Sequence, residues 1–159
     1  MVEEGCMATT FDEIIDLALL SIQDYKLDGL ANDINNQTAF QTITEGFLLR
    51  GLPEFNTCKQ SLEYDETTRT FNSTFTPLEK SILADLWVEK WLEWKVNNIT
   101  QFELKMTTSD FKHFSEAENL KQKSDWLDRI REKVKQKMTD YDYDDPAMFQ
   151  QWANGIFFV

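Results

Sequence analysis

The chain has 159 residues, a formal charge of −12, and 42% hydrophobic and 13% aromatic residues. That is about one domain's length, and the apolar content excludes disorder for most of the chain. The acid excess leaves no basic stripe of the kind a DNA-binding face needs, and an acidic surface repels phosphate and anionic lipid alike.

Three prolines and five glycines favour helices over a turn-rich β architecture. The opening "MVEEGCMATT" is acidic and lacks an apolar signal core. No apolar run approaches the roughly 20 residues that a bilayer requires. A soluble protein made inside the cell is the expectation. Cys6 and Cys58 form neither a disulfide framework nor a metal spacing, so two reduced thiols are expected.

Helix one opens at "TFDE", 10–13, a capping box with Thr10 as N-cap and Glu13 three residues on. Phe11, Ile14, Ile15, Ala18, Leu19 and Ile22 recur at helical spacing, and Asp28-Gly29 is the expected stop. After the polar "NDINNQ", helix two is expected over 38–52, with Phe40, Ile43 and Phe47 on one face and Pro53 ending it. Residues 57–75 change period. Leu62 and Tyr64, then Phe71 and Phe75, alternate with polar residues around a turn-like "DETT", which reads as a short β-hairpin or an irregular excursion. A lone hairpin is marginal in water, so it should lean on something.

Helix three carries three start signals in "TPLE", 76–79: threonine at N-cap, proline at N1, glutamate at N3. Leu78, Ile82 and Leu86 form one stripe, and Trp87, Trp91 and Trp94 an adjacent one, so this helix should be central. Asn97-Asn98 is a weak point, and "ITQFELKM", 99–106, alternates like a strand or a partner-facing loop. Helix four is expected from about Ser109 to 138, with Phe111, Phe114, Ala117, Leu120, Leu127, Ile130, Val134 and Met138 on its buried side. Its second half holds Arg129, Arg131, Lys133, Lys135 and Lys137, where cations suit the helix dipole. The fold class is mostly α: a small bundle of about four helices, with a short hairpin or extended loops and an extended C-terminal tail. The expected divisions are a flexible 1–8, a helical domain over 9–139, and an acidic linker with an apolar tail over 140–159.

No catalytic constellation is legible. His113 is the single histidine, flanked by Phe111 and Phe114, and a structural or surface role is expected for it. Gly46 and Gly51 lie in or at the end of a helix rather than after a strand, so no phosphate loop is present. Asp140, Asp142 and Asp144 resemble the start of a calcium loop, but Asp145 stands where glycine is needed and Gln151 where glutamate is needed. The tryptophan stripe lies among Asp85, Glu89 and Glu93, so core or subunit interface is expected rather than base stacking. Asp125, Asp128 and Glu132 interleave with the cations of helix four, as on an ordinary charged face. No enzyme, cofactor or metal is expected.

The chain ends on Ile156, Phe157, Phe158 and Val159. Leaving such side chains in water forgoes roughly 1.5–3 kcal/mol each. They either fold back on the chain's own core or dock on another chain. An acidic linker self-repels and extends, and a short apolar strand at its end suits addition to a partner's sheet edge. Phe149, Trp152, Ile156, Phe157, Phe158 and Val159 are therefore the candidate partner-binding residues.

The order of segments, "LLRGLPEF", "YDETTRTFNSTFT", "PLEKSILADLWVEKWLEWKVNNITQFELKM", then "SDFKHFSEAENLKQKSDWLDRIREKVKQKM", resembles the head-tail connector (adaptor, or head-completion) proteins of tailed bacteriophages over roughly residues 9–138. The resemblance implies a structural virion protein made in the host bacterial cytoplasm and located in the virion neck. It implies a homo-oligomer, typically a dodecameric ring, below the portal protein. The ring extends the DNA channel without binding DNA specifically and offers a surface to the next neck or tail-completion protein. The C-terminal segment Pro146–Val159 would reach the portal or a neighbouring subunit, and 57–75 and 97–108 would be contact loops. An acidic regulator or DNA mimic that binds a basic host partner is the alternative.

Overall fold

A computed structural model describes residues 8–22, 27, 32–33, 37–105 and 113–143, with the side chains of 99–105 and 113–119 excepted. The described residues form four helices, α1 (Phe11–Leu19), α2 (Gln37–Gly51), α3 (Pro77–Lys105) and α4 (His113–Tyr143), and a hairpin of β1 (Tyr64–Asp65) and β2 (Thr70–Phe71). The mostly α class with a small antiparallel hairpin holds. No helix among the described residues is long and apolar enough to cross a membrane.

The capping signals fold as the sequence predicts. Thr10 is extended and its hydroxyl accepts from Glu13 N at 3.2 Å. Phe11, Ile14, Ile15 and Ala18 then turn inward at i, i+3, i+4 and i+7. The helix closes at Leu19, well before the expected stop at 28–29. Its last turn tightens, with Ser21 N bonded to Ala18 O and Ile22 N to Leu19 O, three residues back instead of four. α2 buries Thr44, Phe47, Leu48 and Gly51, and a short 3-10 turn over Leu52–Glu54 follows it at Pro53.

The hairpin pairs Tyr64 with Phe71 and Asp65 with Thr70. Its turn is set by Asp65, whose carboxylate accepts from Thr67 N at 2.7 Å and Thr68 N at 3.4 Å. Arg69 closes the turn at φ 56°. The hairpin leans on the chain before α1: Phe71 N donates to Thr9 O, Phe11 N to Arg69 O and Thr9 N to Ser73 O. Phe11, Tyr64, Phe71 and Phe75 form an edge-packed aromatic group beneath it.

α3 is the axis of the core, and every residue from 82 to 92 is buried. It meets α2 at a close approach, where a Cβ on Gly51 would stand 3.2 Å from Leu86 Cβ. Residues 99–105 continue α3 and are not the expected strand or loop. Extending a formed helix adds one bond per residue, Gln, Glu, Leu and Lys are good helix formers, and two asparagines cost too little to stop it. An apolar alternation this short does not outweigh that.

α4 runs past the expected end near 138 to Tyr143. Residues 140–143, expected as the start of an acidic linker, are thus the last turn of a helix. Tyr141 belongs to the core, and that burial holds the turn in place. Phe111 and Asp144–Val159 lie outside the described residues, as does Cys6.

Candidate functional site

The most organised polar arrangement lies along the seam of α3 and α4. Ser81, Asp85, Glu89 and Glu93 follow one another at four-residue spacing, so they form one row on α3. α4 runs antiparallel and answers with its cations. Lys137 Nζ donates to Ser81 Oγ at 2.7 Å and Asp85 Oδ2 at 2.5 Å. Lys133 Nζ donates to Asp85 Oδ1 at 2.9 Å. Arg131 reaches Glu89 at 3.3 Å and Glu93 at 2.9 Å. Asp85 and Glu89 side chains are only 8% exposed, while those of Lys133 and Arg131 are about half exposed. The aromatic and apolar half of the seam is Trp91 packed edge-on to Trp126 at 5.7 Å, with Leu127, Ile130, Val134 and Met138.

Lys90 extends the charge row to the 3-10 turn. Its ammonium pairs with Glu54 and lies 3.5 Å from Glu93. Burial would lower its pKa, but Glu54, Glu89 and Glu93 outweigh burial and raise it. Glu89 is pushed up by burial, against the pull of Lys90 and Arg131.

At the end of this row is a buried joint. Glu79 has two tasks there. As the acid of the capping box it accepts from Thr76 N at 2.7 Å, while Glu79 N donates to Thr76 Oγ1 at 3.3 Å. It also accepts from Tyr141 Oη at 2.5 Å. Tyr141 Oη in turn accepts from Lys59 N at 2.9 Å, and the ring packs on Phe55 at 5.4 Å. Lys59 Nζ lies 4.8 Å from the ring centroid and bonds the Tyr141 carbonyl at 3.4 Å. Cys58 Sγ lies 4.0 Å from Glu79, and burial, helped by that carboxylate, pushes its thiol pKa up. Such a thiol is a poor nucleophile at neutral pH.

A cleft of about 300 Å³ lies between α1, α2 and the hairpin turn, with Asp12, Asp16, Gln37, Phe40, Gln41 and Arg69 in its walls. Arg69 is occupied there, paired with Asp12 at 2.7 Å and with Glu45.

The predicted site residues fall as follows. Phe149, Trp152, Ile156, Phe157, Phe158 and Val159 lie outside the described residues. His113 begins α4, and its side chain is not among those described. Trp87 and Trp91 are core, and Trp87 Nε1 donates to Thr44 O at 2.7 Å. Thr44 directs its hydroxyl back to Phe40 O, within its own helix. Trp94 is 39% exposed, with Lys95 over its face at 5.2 Å. Asp140 and Asp142, two apart on a helix, project about 200° from each other and cannot converge on one ion. Among the described residues no group of three His, Cys, Asp or Glu is placed to hold a metal. The Glu79–Tyr141 joint and the pairing of the two rows were missed in the sequence. The charges of each helix were legible in the sequence, but their contact depends on how two helices distant in the chain dock.

No family model, no curated protein and no solved structure matches the chain.

Proposed function

We propose that the chain is a structural adaptor of a tailed-bacteriophage neck, a head-tail connector subunit. In this role it forms a dodecameric ring below the portal, extends the DNA channel and joins the head to the next neck or tail-completion protein. The observation that supports it is the internal use of the cations on α4. Arg131, Lys133 and Lys137 are held by Asp85, Glu89 and Glu93 of the same chain. Cations so engaged are not offered to phosphate, and a subunit whose whole chain has a formal charge of −12 suits a channel through which DNA slides without sticking. The long helices give each subunit two different flanks, which a ring of heterologous contacts needs. The C-terminal Phe149, Trp152 and Ile156–Val159 supply apolar anchors for a portal-type partner.

The test is native mass of the full chain and of a chain ending at Asp145, each alone and mixed with a portal protein. A large ring or a portal-bound complex that truncation abolishes supports the adaptor. A monomer in every mixture, with truncation destabilising the fold, overturns it.

The formal charge of −12 also supports an acidic regulator that mimics DNA. That protein would be a monomer or dimer and would compete with DNA for a basic partner. Absence of competition at physiological salt removes this second reading.

A further inference from the structure

We infer that the second half of α4 is a strap whose closure over α3 is set by ionic strength. The two faces of the seam are unequally built. α3 is buried continuously from 82 to 92, between α1 and α2 as well as α4. From 120 onward, α4 fully buries only Leu127, Val134 and Tyr141. Partly buried Trp126, Ile130 and Met138 add to that apolar hold. Beside them runs a polar hold in successive steps: Arg131 on Glu89 and Glu93, Lys133 on Asp85, Lys137 on Asp85 and Ser81, Tyr141 on Glu79.

The steps differ in their access to solvent. Lys133 and Arg131 side chains are 51% and 48% exposed, so salt ions reach the cationic half of these pairs. Asp85 and Glu89 are shielded while the seam is closed and regain water when it opens. Screening therefore weakens the closed seam and lowers the cost of the open one. Proteins open in cooperative units smaller than the whole, and an element with fewer buried apolar residues than the core it covers opens before that core. The α1–α2–α3 core and the aromatic group under the hairpin do not depend on these pairs. Opening uncovers Asp85, Glu89 and Trp91, which are buried in the closed form, and further exposes Glu93 beside them.

The test is native-state amide hydrogen exchange on the full-length chain, read by peptide mass, at about 0.05 M and about 1 M sodium chloride. Protection across 127–143 is expected to fall about tenfold or more at high salt, while 82–92 keeps its protection. A Lys133→Gln, Lys137→Gln double variant is expected to show low protection in 127–143 at both salts. Equal responses of the two segments, or no response of 127–143, overturn the proposal. So does a double variant that keeps the wild-type salt response. If the double variant does not fold, the wild-type comparison alone decides.

Discussion

Tyr141 Oη lies 2.5 Å from Glu79 Oε1, although 62 residues separate them in the chain. This contact ties the last described turn of α4 to the first turn of α3. The carboxylate is 1% exposed and serves the helix cap as well, so one group fixes both a local and a distant feature. Tyr141→Phe keeps the ring on Phe55 but removes the hydroxyl from a buried carboxylate. The expected cost is about 1–3 kcal/mol, because the carboxylate loses a donor it cannot replace with water. A urea titration followed by circular dichroism reads this as a lower midpoint with an unchanged slope. An unchanged midpoint would mean the hydroxyl contributes nothing net.

The same joint sets an alkaline limit. In the fold, burial raises the Cys58 thiol and the Tyr141 phenol, with the Glu79 carboxylate adding to both. The unfolded chain titrates these groups near about 8.5 and 10. Above those values the unfolded state has lost protons that the folded state still holds, so stability falls as pH rises. The contribution of these two groups is full below about pH 8.5 and declines beyond it, most steeply past about pH 10. Lys90, also raised in the fold, adds in the same direction. Denaturant midpoints across this range should fall, and a Cys58→Ser, Tyr141→Phe double variant should flatten the decline. An equally steep decline in the double variant would place the cause elsewhere.

Two glycines of α2 should respond oppositely to an added side chain. A Cβ on Gly46 meets nothing within 4 Å, so Gly46→Ala should stabilise by about 1 kcal/mol through helix propensity. At Gly51 a Cβ alone would stand 3.2 Å from Leu86 Cβ, and the larger side chain of Gly51→Leu should cost about 1–3 kcal/mol by forcing α2 from α3. Thermal midpoints of the two variants, moving in opposite directions, are the check. A stabilised Gly51→Leu would show the helices are not packed this closely.

The tryptophans should separate in the same way. Trp87→Ala empties a fully buried site and removes the indole bond to Thr44 O, at about 3–5 kcal/mol. Trp94→Ala, on a half-exposed residue that touches Phe47, should cost about 1 kcal/mol. Guanidinium unfolding of both variants measures the difference. Equal losses would contradict the burial of Trp87.

The helical class, the capping signals at Thr10 and Thr76 and the central place of α3 were determined by the sequence itself, and a hairpin was one of the two readings it left for 57–75. Each rests on residues within a few positions of one another: a cap reaching three residues on, apolar side chains at 3.6-residue period, Asp65 turning its own backbone. Where local signals were weak or mixed, tertiary packing decided. Residues 99–105 have an alternating pattern but continue a helix already formed by burial upstream. Asp140-Tyr141-Asp142-Tyr143 reads as polar linker, yet the burial of Tyr141 against Phe55 and Glu79 draws that turn into α4. The cations of α4 look like an exposed charged face until α3 supplies the matching row. A sequence states which charges and aromatics exist and how they repeat along one helix. Only the docking of helices tens of residues apart decides which of them meet, because that contact follows from the shape of the whole core.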